Sequence, residues 1–255
     1  MRLGACAGND MQALRKEFLA QCPVDDGFRL RGVNITRIEV FIDAAFAFAV
    51  TMLVISFDKI PQSFDEIVVA IKSIPALVVA VAQLVWIWHA HSQWSECYGL
   101  RDAKTVALST ALLIVVLIYI YPLRIMFAGM MSWMTAGYLP SSFAIATSQE
   151  LASMFVFLGC GFIAFCVVFL LLYRHALVRK VELKLNEFEI YKTETSALIW
   201  SGSAVIGVIS IVFALTFPPN LLPFSGLGYA LLGIWIPAAI IYRVRTQPVG
   251  RLLES

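Results

Sequence analysis

The stretch 37-RIEVFIDAAFAFAVTMLVISF-57 decides the fold. As a helix it is long enough to cross about 30 Å of hydrocarbon, yet it carries Asp43 six residues in. A carboxylate at that depth costs about 2.5–3.5 kcal/mol on insertion scales. Its presence therefore demands a partner.

The rest of the chain belongs to the same medium. Of 255 residues, 60% are hydrophobic and 14% charged, with a mean hydropathy of +0.82; soluble domains carry about 25% charge. Apolar segments near 38–57, 67–90, 105–127, 151–173, 196–217 and 222–242 are each long enough to span. They predict an all-α integral membrane protein with six transmembrane helices. No basic patch interleaved with aromatics lies outside these segments, so no nucleic-acid partner is expected.

Lysine and arginine set the orientation. Arg2, Arg15, Lys16, Arg29, Arg31 and Arg37 precede the first span; Arg101 and Lys104 lie between the second and third. Arg174, Arg179, Lys180, Lys184 and Lys192 fall between the fourth and fifth, and Arg243, Arg245 and Arg251 follow the last. Only Lys59 sits on the opposite side, so both termini are expected in the cytosol. The organisation read from this is a cytosolic extension over 1–36, a six-helix membrane domain over 37–242 and a cytosolic tail over 243–255. The N-terminus lacks the early apolar core of a cleaved signal; Asn9 or Asp10 is placed to cap a short helix bearing Met11, Leu14 and Phe18. The sequon Asn34-Ile35-Thr36 falls on the cytosolic side and reads as chance. Cys6, Cys22 and Cys97 are cytosolic, and Cys160 and Cys166 lie in the fourth span, a pattern without disulfides.

Charges near the spans sort by depth. Lys72, Arg124 and Glu150 sit close enough to an outer boundary to act as interfacial anchors. Asp43 lies about 9 Å in from Arg37 along the helix, too deep for its short side chain to escape. Trp88, His89 and His91 reach a similar depth from the antiparallel second span. Either a His–Asp contact or an Arg37–Asp43 link would satisfy the carboxylate. On a helical wheel Phe41, Ala44, Phe48, Thr51 and Ile55 form one stripe, and Asp43 points about 140° away from Phe48. Ordinary helix packing is the first reading of such a stripe; a pore lining is the second. The pattern Ser203-x-x-x-Gly207 permits close helix approach, and Gly226, Gly228, Gly233 and Pro237 permit a kink in the last span. The segment 174–194 reads as a solvated linker, or as a short amphipathic extension carrying Val178, Val181, Leu183 and Leu185.

Arg37-x-x-x-Phe41-Ile42-Asp43, with the AAFAFAVTMLVISF that follows, resembles the R-x-x-x-F-S-D signature and first helix of the endolysosomal potassium channel family (transmembrane protein 175) and its bacterial relatives. Trp88-x-x-His91 and Pro122 extend the likeness, which covers about 33–242. The resemblance implies a homotetramer of six-helix subunits, with the first helix of each lining a central pore. Family members lack the carbonyl filter of ordinary potassium channels, and no T-V-G-Y-G run occurs here. By the same resemblance Phe48 stands at the hydrophobic constriction, Thr51 at an ion-coordinating position, and Ile55 forms the next layer. Arg37, Asp43, Trp88, His89 and His91 form a structural polar cluster. Two departures stand out: Ile42 replaces the signature serine, and Phe48 replaces an aliphatic residue.

The function expected is a potassium-permeable cation channel with no cofactor and no metal. A Phe48-plugged, non-conducting relative and an ion-coupled transporter are the alternatives. An enzyme is disfavoured, since H-E-x-x-H, paired C-x-x-C and G-x-S-x-G motifs are absent from the sequence. The expected partners are potassium ions, the lipid bilayer and further copies of the chain. In a bacterial host the plasma membrane is the expected location.

Overall fold

The computed structural model describes residues 16–55, 62–141, 147–218 and 221–246. A short helix α1 (Lys16–Gln21) leads into a two-stranded antiparallel ribbon, β1 (Val24–Asp25) and β2 (Phe28–Arg29). Five long helices follow: α2 (Arg37–Ile55), α3 (Phe64–Tyr98), α4 (Ala103–Met134), α5 (Ser148–Val178) and α6 (Glu187–Thr216). The chain then forms a 3-10 segment, Leu222–Leu231, and α7 (Leu232–Thr246). Among the described residues, five helical stretches are long and apolar enough to cross a membrane, α3 to α6 and Phe224–Thr246; α2, described only as far as Ile55, is the sixth expected span and is not among them. The fold is that of an all-α, multi-pass integral membrane protein.

Local chemistry sets the helix boundaries. Ser63, Asp102, Thr147 and Asn186 each accept a hydrogen bond from a backbone N–H in the first turn of the following helix. Asn186 and Glu189 complete a reciprocal capping box. Gly99 ends α3 in the left-handed region at φ 57°.

α3 to α6 are 30 to 35 residues long, about 45–52 Å at helical rise. Each therefore outlasts the span expected from hydropathy, because polar residues continue the helix past the hydrocarbon edge. The surplus of α3, α5 and α6 gathers with the starts of α2 and α4 and the ribbon at one end of the bundle, the foot, whereas α4 runs on at the opposite end to Met134. The segment 174–194 is thus no solvated linker. α5 runs to Val178, α6 begins at Glu187, and Leu183 is buried in the turn between them.

α5 and α6 form the packed centre. Phe169 stacks on Trp200 with ring centroids 4.2 Å apart, and Phe165 meets Phe162 edge to face. Gly207 lets the two helices close, since a Cβ there would lie 2.8 Å from Ile163 Cγ1; Ser203-x-x-x-Gly207 is a packing seam. The last span is broken into 3-10 and α pieces, and Ser210 of α6 donates to the carbonyl of Ser225 in the 3-10 piece. Hydropathy sees the length of that span but not its winding. Of the expected N-terminal helix, Asn9, Asp10, Met11 and Leu14 lie outside the described residues; Phe18 is on α1.

Candidate functional site

α2 has two faces of unlike fate. Ile42, Phe46, Ala49 and Leu53 recur at helical spacing and are 0–3% exposed, packed in the main core. The opposite stripe turns away from the subunit: Phe41 and Phe48 are each 59% exposed, and Ala44 and Thr51 are exposed as well. Ile55 is the last residue of α2, and its side chain lies outside the described set. One helix thus divides, residue by residue, into a buried seam and an unpartnered stripe.

The stripe holds one polar group. Thr51 Oγ1 donates to the carbonyl of Ala47 at 2.9 Å. With its proton committed inside the helix, the hydroxyl presents lone pairs outward.

Asp43 is placed between these faces. Trp88 Nε1 donates to Asp43 Oδ1 at 2.8 Å, so the indole of α3 is the carboxylate's partner. The sequence points to Arg37 or the span-two histidines for that role. Instead Arg37 is exposed at the first turn of α2, His89 is exposed, and His91 Nε2 pairs with Ser109 Oγ of α4 at 2.9 Å. Two residues separate His91 from His89, about 200° on a helix, which is why only one of them turns inward. Asp43 and Trp88 line an open groove of about 270 Å³ with Phe46, Ala47, Val50, Leu84 and Val85.

At its far end α2 meets Arg124, whose Nη1 donates to the carbonyl of Leu53 at 3.3 Å. A cation at a helix C-terminus complements its dipole. Arg124 is not a terminal anchor of its own helix, because α4 continues to Met134. Lys72 lies over the ring of Tyr138, with Nζ 4.3 Å from the centroid.

The foot carries the residues that sequence reasoning missed. Arg31 and Glu189 form an ion pair of 2.6 Å with side chains 1% and 0% exposed. Arg31 Nε also donates to the Leu183 carbonyl at 2.9 Å, and Nη1 to the Arg29 carbonyl at 2.8 Å. Glu189 accepts from the backbone N–H groups of Arg29 and Asn186, both at 2.9 Å. Beside them Asp102 accepts from His175 Nε2 at 2.8 Å and from Arg179 Nη2 at 3.4 Å. Burial pushes the Asp102 carboxyl up, but the hydrogen bond from Thr105 and the neighbouring His175 outweigh it and hold it below 3.8. In the sequence Arg31 is one basic residue among several, and nothing marks its partner 158 positions on.

A multi-pass helical membrane protein with one helix half in the core and half unpartnered is the class that fold and site define. The comparisons give the family. The sequence model described as the endosomal/lysosomal potassium channel TMEM175 matches residues 37–122. A protein of Marivirga tractuosa named "Potassium channel" is 32% identical over 249 residues, covering 95% of this chain and all of that one. A crystal structure of a single-substitution variant of the potassium channel MtTMEM175, in complex with a nanobody–MBP fusion, is similar at a TM-score of 0.74 and 30% identity. It covers 88% of this chain and 98% of that one. The chain belongs to the TMEM175 family, and membership of a family of channels removes the enzyme reading.

Proposed function

We propose that this chain forms a potassium-permeable cation channel: a homotetramer with α2 of each subunit at a central axis. The observation that carries the reading is the exposed stripe of Phe41, Ala44, Phe48 and Thr51 on a helix whose other face is fully packed. A second copy brings such stripes together around an axis, and the relatives named as potassium channels supply the permeant ion.

In this reading Phe48 is the hydrophobic constriction, closing the path by dewetting. Thr51 follows it with hydroxyl lone pairs free for a partly dehydrated cation, and Ile55 forms the next layer. No cofactor takes part, and no re-entrant carbonyl filter is needed. Arg37, Asp43, Trp88, His89 and His91 make up the polar surroundings of the helix, with the Trp88–Asp43 bond as the tie that sets its rotation. With six spans both termini share one side, and the excess of Lys and Arg makes that side the cytosol. The basic residues of 174–192 and 243–245 sit at the same end of the bundle, where Arg243 packs on the Tyr191 ring at 3.8 Å. The 37–242 region is the channel domain, with 1–36 and 243–255 its cytosolic flanks. In a bacterium the membrane is the plasma membrane.

One observation favours a second reading. A phenyl ring stands where the resemblance implies an aliphatic residue, and four such rings form a wide, stiff plug. The test is potassium flux into liposomes containing the purified protein, beside the Phe48→Ala variant. Flux in wild type that rises in the variant supports the channel. Flux in the variant alone supports a plugged relative. Silence in both, with intact oligomer, sinks the channel and leaves an ion-coupled transporter, for which the broken last span is the candidate discontinuous helix.

A further inference from the structure

We propose that residues 28–32 are the anchor that positions the start of α2, with the buried Arg31–Glu189 pair as its fastening, so that the foot of the bundle sets how the pore helix stands. The inference rests on the reading of α2 as the pore helix.

The segment is fastened on three sides. Toward α6, Arg31 and Glu189 pair in the interior, and every carboxylate oxygen of Glu189 is engaged: Oε1 by the Arg29 N–H, Oε2 by Arg31 and the Asn186 N–H. Toward α3, the N–H groups of Arg31 and Gly32 donate to the carbonyls of Cys97 and Glu96 at 3.4 and 2.8 Å, closing the end of that helix. Gly32 is required by this approach, since a Cβ there would lie 2.2 Å from the Ser95 carbonyl oxygen. Toward the turn between α5 and α6, the guanidinium bonds the Leu183 and Lys184 carbonyls. Phe28, 4% exposed, closes the interior against Tyr98 edge to face.

From this fixed point the chain has only Val33, Asn34 and Ile35 before Thr36, the cap of α2. The four steps from Gly32 to Thr36 reach at most about 14 Å, so the start of α2 cannot leave the foot. Arg101 shortens the tether by bonding the Asn34 carbonyl at 2.9 Å. Glu39 completes the tie: it accepts from the Thr36 N–H within α2 and from the Ser95 hydroxyl of α3. A buried pair is poor evidence of net stability, and a registry role is its best-attested use. Here the pair joins elements 158 residues apart and ends on the helix that bears the exposed stripe.

The test slackens the tether without touching the pair. Two glycines are inserted between Ile35 and Thr36 of the full chain, and Glu189→Gln is made separately to break the pair. Each protein is reconstituted; hydrogen exchange is read across residues 40–46 and 158–172, and potassium currents are recorded in planar bilayers. The expected result for both variants is exchange about tenfold faster across 40–46, unchanged exchange across 158–172, and an altered open probability at the wild-type reversal potential. Wild-type exchange across 40–46 in the insertion variant would overturn the anchor, as would faster exchange with unaltered open probability. If Glu189→Gln fails to assemble, the insertion decides alone, since its pair is intact. A wild-type protein that carries no current, with the exchange effect present, sinks the channel reading and leaves the anchor standing. Normal currents with no exchange effect do the reverse.

Discussion

The two ends of α2 hold their neighbours in opposite ways. In its membrane-buried length, the side chains of Ile42, Phe46, Ala49 and Leu53 engage the subunit by packing, the Trp88–Asp43 and Arg124–Leu53 hydrogen bonds add two polar contacts, and the stripe of Phe41, Ala44, Phe48 and Thr51 is exposed. At its start, Thr36, Glu39 and the preceding Arg31–Gly32 segment are bound by directional hydrogen bonds to α3, α6 and the turn before α6. An apolar seam fixes a helix in its groove but tolerates small sliding and rotation. Hydrogen bonds and a buried ion pair fix a point.

Substitutions along α2 can break or sharpen that contrast. The largest loss of stability is expected where each region is most buried. Phe46→Ala leaves a cavity beneath a ring that is 3% exposed and is expected to cost about 3–5 kcal/mol. Arg31→Ala strands Glu189 without its charge partner and is expected to cost about 3–5 kcal/mol as well. Denaturant titration in detergent micelles measures both. Phe48→Ala, two residues from Phe46, is expected to change subunit stability by about 0.5 kcal/mol or less, while it increases potassium flux. Equal losses for Phe46 and Phe48 in the separated subunit would contradict the two-faced helix.

Smaller effects follow at the polar tie. Trp88→Phe removes the donor to Asp43 and keeps most of the ring, for an expected loss of about 1–3 kcal/mol. Asp43→Ala in the Trp88→Phe background should then cost little more, which a double-mutant cycle reads directly. His89→Ala, at an exposed position, should leave the same unfolding curve in place.

The last effect is electrostatic and confined to acid pH. Asp102 has its folded pKa held below the usual 3.8, so its stabilisation is fully present above that value and is lost as pH falls through the lower, folded one. Asp102→Asn should flatten the acid side of the stability profile below about pH 4 and leave the profile above it parallel to wild type. A wild-type slope retained in the variant would assign the acid sensitivity elsewhere in the foot.

The difference between the two ends of α2 is also the difference between what was legible and what was not. Periodicity alone separated Phe48 and Thr51 from Asp43, because side-chain direction along a helix follows from a fixed 100° step. The same reading placed Trp88 and the histidines at the depth of Asp43, but not which of them bonds it. That choice depends on the rotation of α3 about its own axis, set by Leu84, Ile87 and His91 facing the interior. The Arg31–Glu189 pair gave no signal at all: a charged residue in a charged segment looks solvated until its distant partner is brought to it.

The sequence by itself determined the medium, the side that gathers the basic residues and the stripe on α2, because each follows from transfer free energy or from local helical geometry. Only the tertiary structure decided the partner of Asp43, the contact of Arg124 with the end of α2, the 3-10 winding of the last span and the buried foot. Each of those depends on which surfaces meet at long range, and hydrogen bonds and close packing select among such meetings with a precision of tenths of an ångström that no local pattern encodes.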